Sequence, residues 1–142
     1  MGSSWLTTSS RAAMWLLLAR ILMASLFIFS GIEKIVIYHD AVQFAAGGGV
    51  PFARELMPLA ILLELGCGAM LLVGWHARLA AVIFAAWVLV LGPSFHRFWA
   101  EPPATWQLVV DGFFHHLVMA GGFICLAVSG PGELSLDAKS GR

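Results

Sequence analysis

The stretch RILMASLFIFSGIEK, residues 20–34, is apolar and carries a cation at each end. At about 100° of rotation per residue, four of its residues share one narrow face of a helix: Arg20, Phe27, Gly31 and Lys34. Two cations on one stripe do not suit contact with lipid. The stretch therefore predicts a membrane helix whose charged stripe packs on neighbouring helices, with its cations turned toward protein or water.

The composition of the whole chain predicts an integral membrane protein. Of its 142 residues, 60% are hydrophobic and 11% are charged, and the mean hydropathy is +0.87. A soluble domain of this composition would expose large apolar patches. The formal net charge of zero argues against a nucleic-acid partner. Cys67 and Cys125 lie in apolar runs, without the spacing of a disulfide framework or a metal motif.

Apolar runs and chain breakers together predict an all-α fold, an integral membrane four-helix bundle of up-down-up-down order that forms a single domain over residues 1–142. Because a span needs about 20 residues, the helices are expected at about residues 13–37, 55–73, 79–91 and 108–128. The glycines at positions 47–49 make residues 38–54 a loop, with one short amphipathic turn at residues 43–45. Gly92 and Pro93 are expected to end the third helix.

The loops predict the orientation of the bundle. The short turn GWHAR, residues 74–78, makes the second and third helices antiparallel neighbours, and four spans place both termini on one side. That side carries four cations, Arg11, Arg78, Lys139 and Arg142, against Arg54 and Arg97 on the other. The positive-inside rule then predicts a multi-pass protein of the inner (cytoplasmic) membrane with both termini in the cytoplasm.

Ionisable residues at membrane depth are costly and usually face the interior of a bundle. In the predicted topology five of them can converge on the outer half of the bundle: Lys34, Glu64, His96, Asp111 and His115. With Arg20 they form the candidate polar intramembrane site. On the fourth helix, small and polar residues recur at helical spacing and predict an interior face: Asp111, His115, Val118, Gly122, Cys125 and Ser129.

Two interpretations of Glu64 stay open at this point. In the structural one, its carboxylate pairs with Arg20 or Lys34, or with backbone groups, and fixes the register of the helices. In the functional one, Glu64 and Lys34 line a polar pocket for a quinone head group, a thiol or sulfur compound, or a proton path.

A haem or metal site is not predicted. His115 and His116 are adjacent, so on a helix they point about 100° apart and cannot hold one iron from both sides. A haem would need His96 as its second ligand, supplied from a loop. The two cysteines are expected to be small packing residues rather than a redox pair.

Several motifs, in this order and spacing, resemble the DoxX family of small four-helix membrane proteins. An arginine opens the first helix and is followed by FIFSGIEK at residues 27–34, GVPFA at 49–53, LELGCG at 63–68 and GWHAR at 74–78. The tail GPGELSLD at residues 130–137 is similar to the family's usual ending. The resemblance covers residues 20–137, and the pair His115–His116 and the Trp-rich segment around Trp99 and Trp106 depart from it.

The resemblance implies a four-helix bundle in the cytoplasmic membrane and two functions. The family is named after a subunit of an archaeal quinol oxidase, and relatives are associated with thiosulfate:quinone oxidoreduction or with thiol-redox complexes. We therefore expect an accessory subunit of a membrane redox or respiratory complex, or else a quinone-linked component acting on thiosulfate or a thiol. Its partners would be the lipid bilayer and other membrane subunits or further copies of the chain. A small transporter would need an oligomer to form a lumen.

Overall fold

The computed structural model describes residues 9–141, and within this range four helices are long and apolar enough to cross a membrane. The helices are α1 (Ser9–Val36), α2 (Tyr38–Gly47), α3 (Ala53–Val73), α4 (Ala77–Phe95), α5 (Pro103–Ser129) and α6 (Leu136–Lys139). A 3-10 turn, Phe98–Ala100, precedes α5, and residues 9–141 contain no strand. The prediction of an all-α, four-span bundle is confirmed.

Glycines bring α1 and α3 into close contact. A Cβ atom on Gly31 of α1 would lie 2.8 Å from the side chain of Leu65, and one on Gly68 of α3 would lie 2.8 Å from Ile28. Small residues allow two backbones to approach within a membrane, where dispersion contacts replace the hydrophobic effect as the force between helices. The second close pair is α4 with α5, where Gly92 lies against His116.

Three phenylalanines join the two helix pairs at the centre of the bundle. Phe27 stacks on Phe84 with a centroid separation of 4.1 Å, and Phe123 lies 5.2 Å from Phe84 and 5.5 Å from Phe27. All three side chains are buried. Aromatic pairs at such distances contribute about 0.5–1.5 kcal/mol each beyond their buried area, so this aromatic core holds α1, α4 and α5 together.

The C-terminal segment folds back onto the start of the bundle, at the side that we call the terminal side. The guanidinium of Arg20 is fully buried and donates hydrogen bonds to the carbonyl oxygens of Leu71 and Leu134. Gly132 lies against Leu16 of α1. Arg20 therefore fastens residues 132–137 to α1 and to the end of α3.

Asp137 completes this contact by capping α4. Its carboxylate accepts hydrogen bonds from the amides of His76 and Ala77 at 2.8 and 2.9 Å, and its own amide donates to the carbonyl of Gly74 at 2.9 Å. A carboxylate at a helix N-terminus satisfies amides that have no partner within the helix and favours the helix dipole. Gly74 adopts φ +69, and a Cβ atom there would collide with Arg20.

The helix boundaries on either side of the α4–α5 connection differ from the sequence prediction, and α1 begins at Ser9, four residues before its predicted start. The third span does not stop at Gly92 and Pro93 but continues to Phe95. Pro93 is near the end of α4, where its missing amide affects one carbonyl only, and the Ser94 hydroxyl donates to the carbonyl of Val90 at 2.7 Å. The fourth span begins at Pro103, five residues before the predicted start, because proline suits the first helical position.

The segment predicted as the first loop contains α2, which lies at the opposite end of the bundle from the terminal side. Ala45 of α2 is buried in a small cluster with Ala53 and Met57 of α3. Pro58 has no amide to offer the carbonyl of Arg54 four residues earlier, and the hydroxyl of Tyr38 donates to that carbonyl at 3.2 Å. Contacts with α3 therefore order a helix that its own sequence did not predict.

The interior face predicted for the fourth span is wrong. The small and polar stripe faces outward, with Val118 and Cys125 exposed. The buried residues of α5 are instead Val110, Ala120, Phe123 and Leu126. Lipid is as apolar as a bundle core, so the apolar stripe could pack inward without leaving hydrophobic surface in water.

Candidate functional site

A single ion pair connects α1 and α3 near the α2 end of the bundle. The ammonium of Lys34 lies 2.9 Å from Oε2 of Glu64, and their side chains are 25% and 3% exposed. The same ammonium donates to the hydroxyl of Ser30, one turn earlier on α1. Lys34 stands in the last turn of α1, where the helix dipole favours a cation. Of the partners predicted for Glu64, which were Arg20, Lys34 or backbone groups, the structure provides Lys34.

This pair lies at one end of a groove of about 970 Å³ that is lined by α1, α2, α3 and α4. One face of α3 supplies a wall through Ala53, Met57, Ala60 and Glu64, which recur at intervals of three and four residues. The same face continues into the core with Cys67 and Leu71. Glu64 therefore lies where the groove ends and the packed core begins.

The facing wall belongs to α4 and includes Trp87, Leu91 and Ser94. Glu64 and Trp87 each lie ten residues from the ends of the α3–α4 turn, Gly74 and Ala77, which corresponds to about 15 Å along each helix. They are thus at similar depth. The indole nitrogen of Trp87 is buried and has no hydrogen-bond partner within residues 9–141.

The opposite end of the groove is covered by α2 and bears charged groups. Asp40 and Phe44 of α2 line it, together with Arg97 after α4. Arg97 donates to the carbonyl of Gly48 at 2.9 Å, and the ring of Phe44 stacks on Phe95 with centroids 5.7 Å apart. These contacts hold the cover to the end of α4.

The structure places Arg20 apart from the groove. Fourteen residues separate it from Lys34 on α1, a distance of about 21 Å along the helix axis. Its hydrogen bonds go to backbone carbonyls of Leu71 and Leu134, and the carboxylate that acts on it electrostatically is that of Asp137. Arg20 therefore serves the contact of the C-terminal segment.

The remaining three predicted residues do not line the groove: His96 follows α4, and Asp111 and His115 belong to α5. The ring of His96 is 4.9 Å from that of His116, whose Nδ1 bonds to the carbonyl of Gly112 at 2.9 Å. His115 is exposed, and Asp111 is exposed and accepts a hydrogen bond from Gln107 at 3.0 Å. No three His, Cys, Asp or Glu residues within the described range are placed to hold a metal ion.

Of the six candidate residues, the structure thus brings Lys34 and Glu64 together in the groove. Sequence reasoning missed Ser30, Trp87 and Asp40 as groove residues. Ser30 could have been found from its spacing of four residues before Lys34. Trp87 carried no such signal, because an apolar run in a membrane helix does not show which side chains line a cavity.

The comparisons with known proteins agree with this architecture. The DoxX family matches residues 15–97, which span α1 to the end of α4. The chain is 39% identical over 121 residues to the inner membrane protein YqjF of Escherichia coli (strain K12), covering 85% of this chain and 88% of that protein. It is 29% identical over 124 residues to the inner membrane protein YphA of the same organism, covering 87% and 89%. No solved structure matches.

Four apolar helices and two inner-membrane relatives make the chain a multi-pass protein of the inner membrane. The family match covers more than half of its residues. The chain belongs to the DoxX family.

Proposed function

We propose that the groove binds the head group of a quinone and that the protein is a quinone-linked component of a membrane redox system. The observation that carries this proposal is the Lys34–Glu64 pair at the inner end of a groove whose walls on α3 and α4 are mostly apolar. Ligand sites combine apolar walls with a few polar groups that orient the ligand, and this groove has that composition.

The residues present fit such a head group. The ammonium of Lys34 uses two of its three protons on Ser30 and Glu64, and its third can be donated to a ring carbonyl. Among the described residues, the hydrogen bond to Glu64 reaches Oε2, so Oε1 is available to accept a proton from a ring hydroxyl. Trp87 and Leu91 would contact the faces of the ring. A bound quinone would supply two-electron redox chemistry, and the chain would supply orientation and a proton acceptor.

Tryptophan fluorescence tests this proposal, because Trp87 is the tryptophan that lines the groove among the described residues. Titration of the purified protein with a decyl-substituted benzoquinone is expected to quench part of the emission in a saturable way. The variant Trp87→Phe should lose the saturable part, and Glu64→Gln should weaken binding. A response that is linear in quinone and equal in all three proteins would contradict the proposal.

We propose, as a second function, that the protein is an accessory subunit that docks other membrane subunits through α5. The outward stripe of α5 supports this, because its small and polar side chains suit contact with a helix better than contact with lipid. The variant Cys125→Phe should lose the partner. The variant Ile124→Phe, at an adjacent exposed position, should keep it. Native mass spectrometry of complexes from membranes measures this, and a monomer in every preparation would oppose it.

We also propose that the terminal side faces the cytoplasm. Arg11, Arg78 and Lys139 lie on that side, against Arg54 and Arg97 at the α2 end. Arg142, the fourth cation predicted for the terminal side, lies outside the described residues. The excess of cations follows the positive-inside rule and would place the groove in the periplasmic half of the membrane. Reporter fusions at the C-terminus test it, since a reporter active only in the periplasm should stay inactive.

A further inference from the structure

The groove, which α2 covers at one end, is open along its flank. Leu56 of α3 and Val90 of α4 both line it, and both are exposed, by 43% and 60%. Side chains that line a groove and keep this much exposed surface are not enclosed by their neighbours, so they lie at the edge of an opening. These edges are apolar side chains on two different helices.

Both edges lie in segments that cross the membrane. Leu56 belongs to the span Ala53–Val73 and Val90 to the span Ala77–Ala100. The surface outside a membrane span meets acyl chains, so the flank of the groove faces lipid. The helices α3 and α4 are joined by a short turn at the terminal side, and the groove lies toward their other ends.

The covered end of the groove has a different character. Asp40 and Arg97 line it, and the exposed carboxylate of Glu33 lies on the same side. The hydrogen bond from Arg97 to Gly48 and the stack of Phe44 on Phe95 close α2 against α4. An apolar tail that left the groove here would pass charged groups and enter water, which is unfavourable for each methylene group that it exposes.

We infer that the groove takes its ligand sideways from the bilayer, between Leu56 and Val90, and that the ligand is a tailed one. The head group reaches Lys34 and Glu64 while the tail remains among acyl chains. This inference rests on the proposed function and names the class of substrate for that site: an isoprenoid- or alkyl-tailed quinone rather than a water-soluble quinone, a thiol or thiosulfate.

The test compares two ligands on variants of the full-length protein in lipid nanodiscs. The ligands are a decyl-substituted benzoquinone and the same head group without its tail, each followed by stopped-flow quenching of Trp87. The paired variant Leu56→Phe/Val90→Phe narrows the opening. Leu59→Phe/Val82→Phe is the matched control, because these residues are exposed on the same two helices and do not line the groove.

The narrowed opening is expected to slow association of the tailed quinone by about tenfold, within the range over which association rates change among variants of one site. The head group without a tail should associate at an unchanged rate, and the control variant should bind both ligands normally. Decylbenzene, which has the tail without ring carbonyls, should not compete with the tailed quinone.

If the tailed quinone associated at equal rates with the narrowed and control variants, the inference that the ligand enters from the side would be overturned. The proposed function would still stand if binding continued to require Glu64. Competition by decylbenzene would show that the groove recognises a tail alone and would also overturn the inference. If neither quinone binds the unaltered protein, the proposed function fails and the inference fails with it. Circular dichroism of each variant confirms that the helices are intact.

Discussion

Removing the cation of the groove pair should destabilise the protein more than removing the anion. Lys34→Met leaves the carboxylate of Glu64, which is 3% exposed, without its charged partner. Loss of one partner from a buried ion pair costs about 3–5 kcal/mol. Glu64→Gln leaves Lys34, which is 25% exposed and keeps its bond to Ser30. The new amide oxygen can still accept a hydrogen bond, so a cost of about 1–2 kcal/mol is expected.

The double variant Lys34→Met/Glu64→Gln leaves no unpaired charge at this site and should be more stable than Lys34→Met alone. The coupling between the two positions is then about 2 kcal/mol or more, within the range measured for residues in contact. Unfolding in mixed micelles by added dodecyl sulfate, followed by far-ultraviolet circular dichroism, gives the three free energies. If Lys34→Met cost no more than Glu64→Gln, or if the two single costs simply added, the description of this pair as buried and coupled would be refuted.

Two further predictions concern the terminal side. Asp137→Asn replaces one of the two carboxylate oxygens that accept from the amides of His76 and Ala77 with an NH2 group that cannot accept, so it should cost about 1 kcal/mol, seen as a lower thermal midpoint without loss of quinone binding. An unchanged midpoint would oppose the capping role. Gly74→Ala places a Cβ atom in collision with the Arg20 guanidinium at a positive φ of 69°, so it should cost about 1–3 kcal/mol or prevent accumulation in the membrane. The same change at Gly66, where a Cβ atom meets nothing within 4 Å, is its control.

The number of spans and the buried stripe of α1 could be predicted from the sequence. A segment that crosses the bilayer must satisfy its own backbone hydrogen bonds, so each apolar run of sufficient length forms a helix. On α1 the stripe carried Arg20 and Lys34, and charge excludes the lipid-facing side. The structure accordingly buries Arg20, Phe27 and Gly31, and leaves Glu33 exposed.

The orientation of α5 could not be predicted in this way. Two stripes of residues, one small and polar and the other apolar, recur along α5 at helical spacing. Neither stripe has a charge at mid-span that would exclude it from lipid. The larger side chains, Phe123 and Leu126, fill the core, and the small ones face outward. Polarity indicates the interior of a membrane protein only where it is strong.

The partners of the buried charges also lay beyond sequence reasoning. Arg20 bonds to Leu134, which is 114 positions away, and a pattern of spacing within one helix contains no information about such a contact. The pair of Lys34 and Glu64 was one of several alternatives, because Arg20 and backbone groups were also predicted as partners of Glu64. The groove itself arises because α2 covers the space between α3 and α4, and α2 was predicted to be a loop.

Photolabelling with an azido-quinone that carries a decyl tail tests the central claim most directly. After illumination in native membranes and digestion, label is expected on peptides that contain residues 56–64 and 87–97, the two walls of the groove, and an excess of unlabelled quinone should remove it. Glu64→Gln should reduce this labelling. Label concentrated on the outer stripe of α5, or label that unlabelled quinone does not displace, would contradict the account.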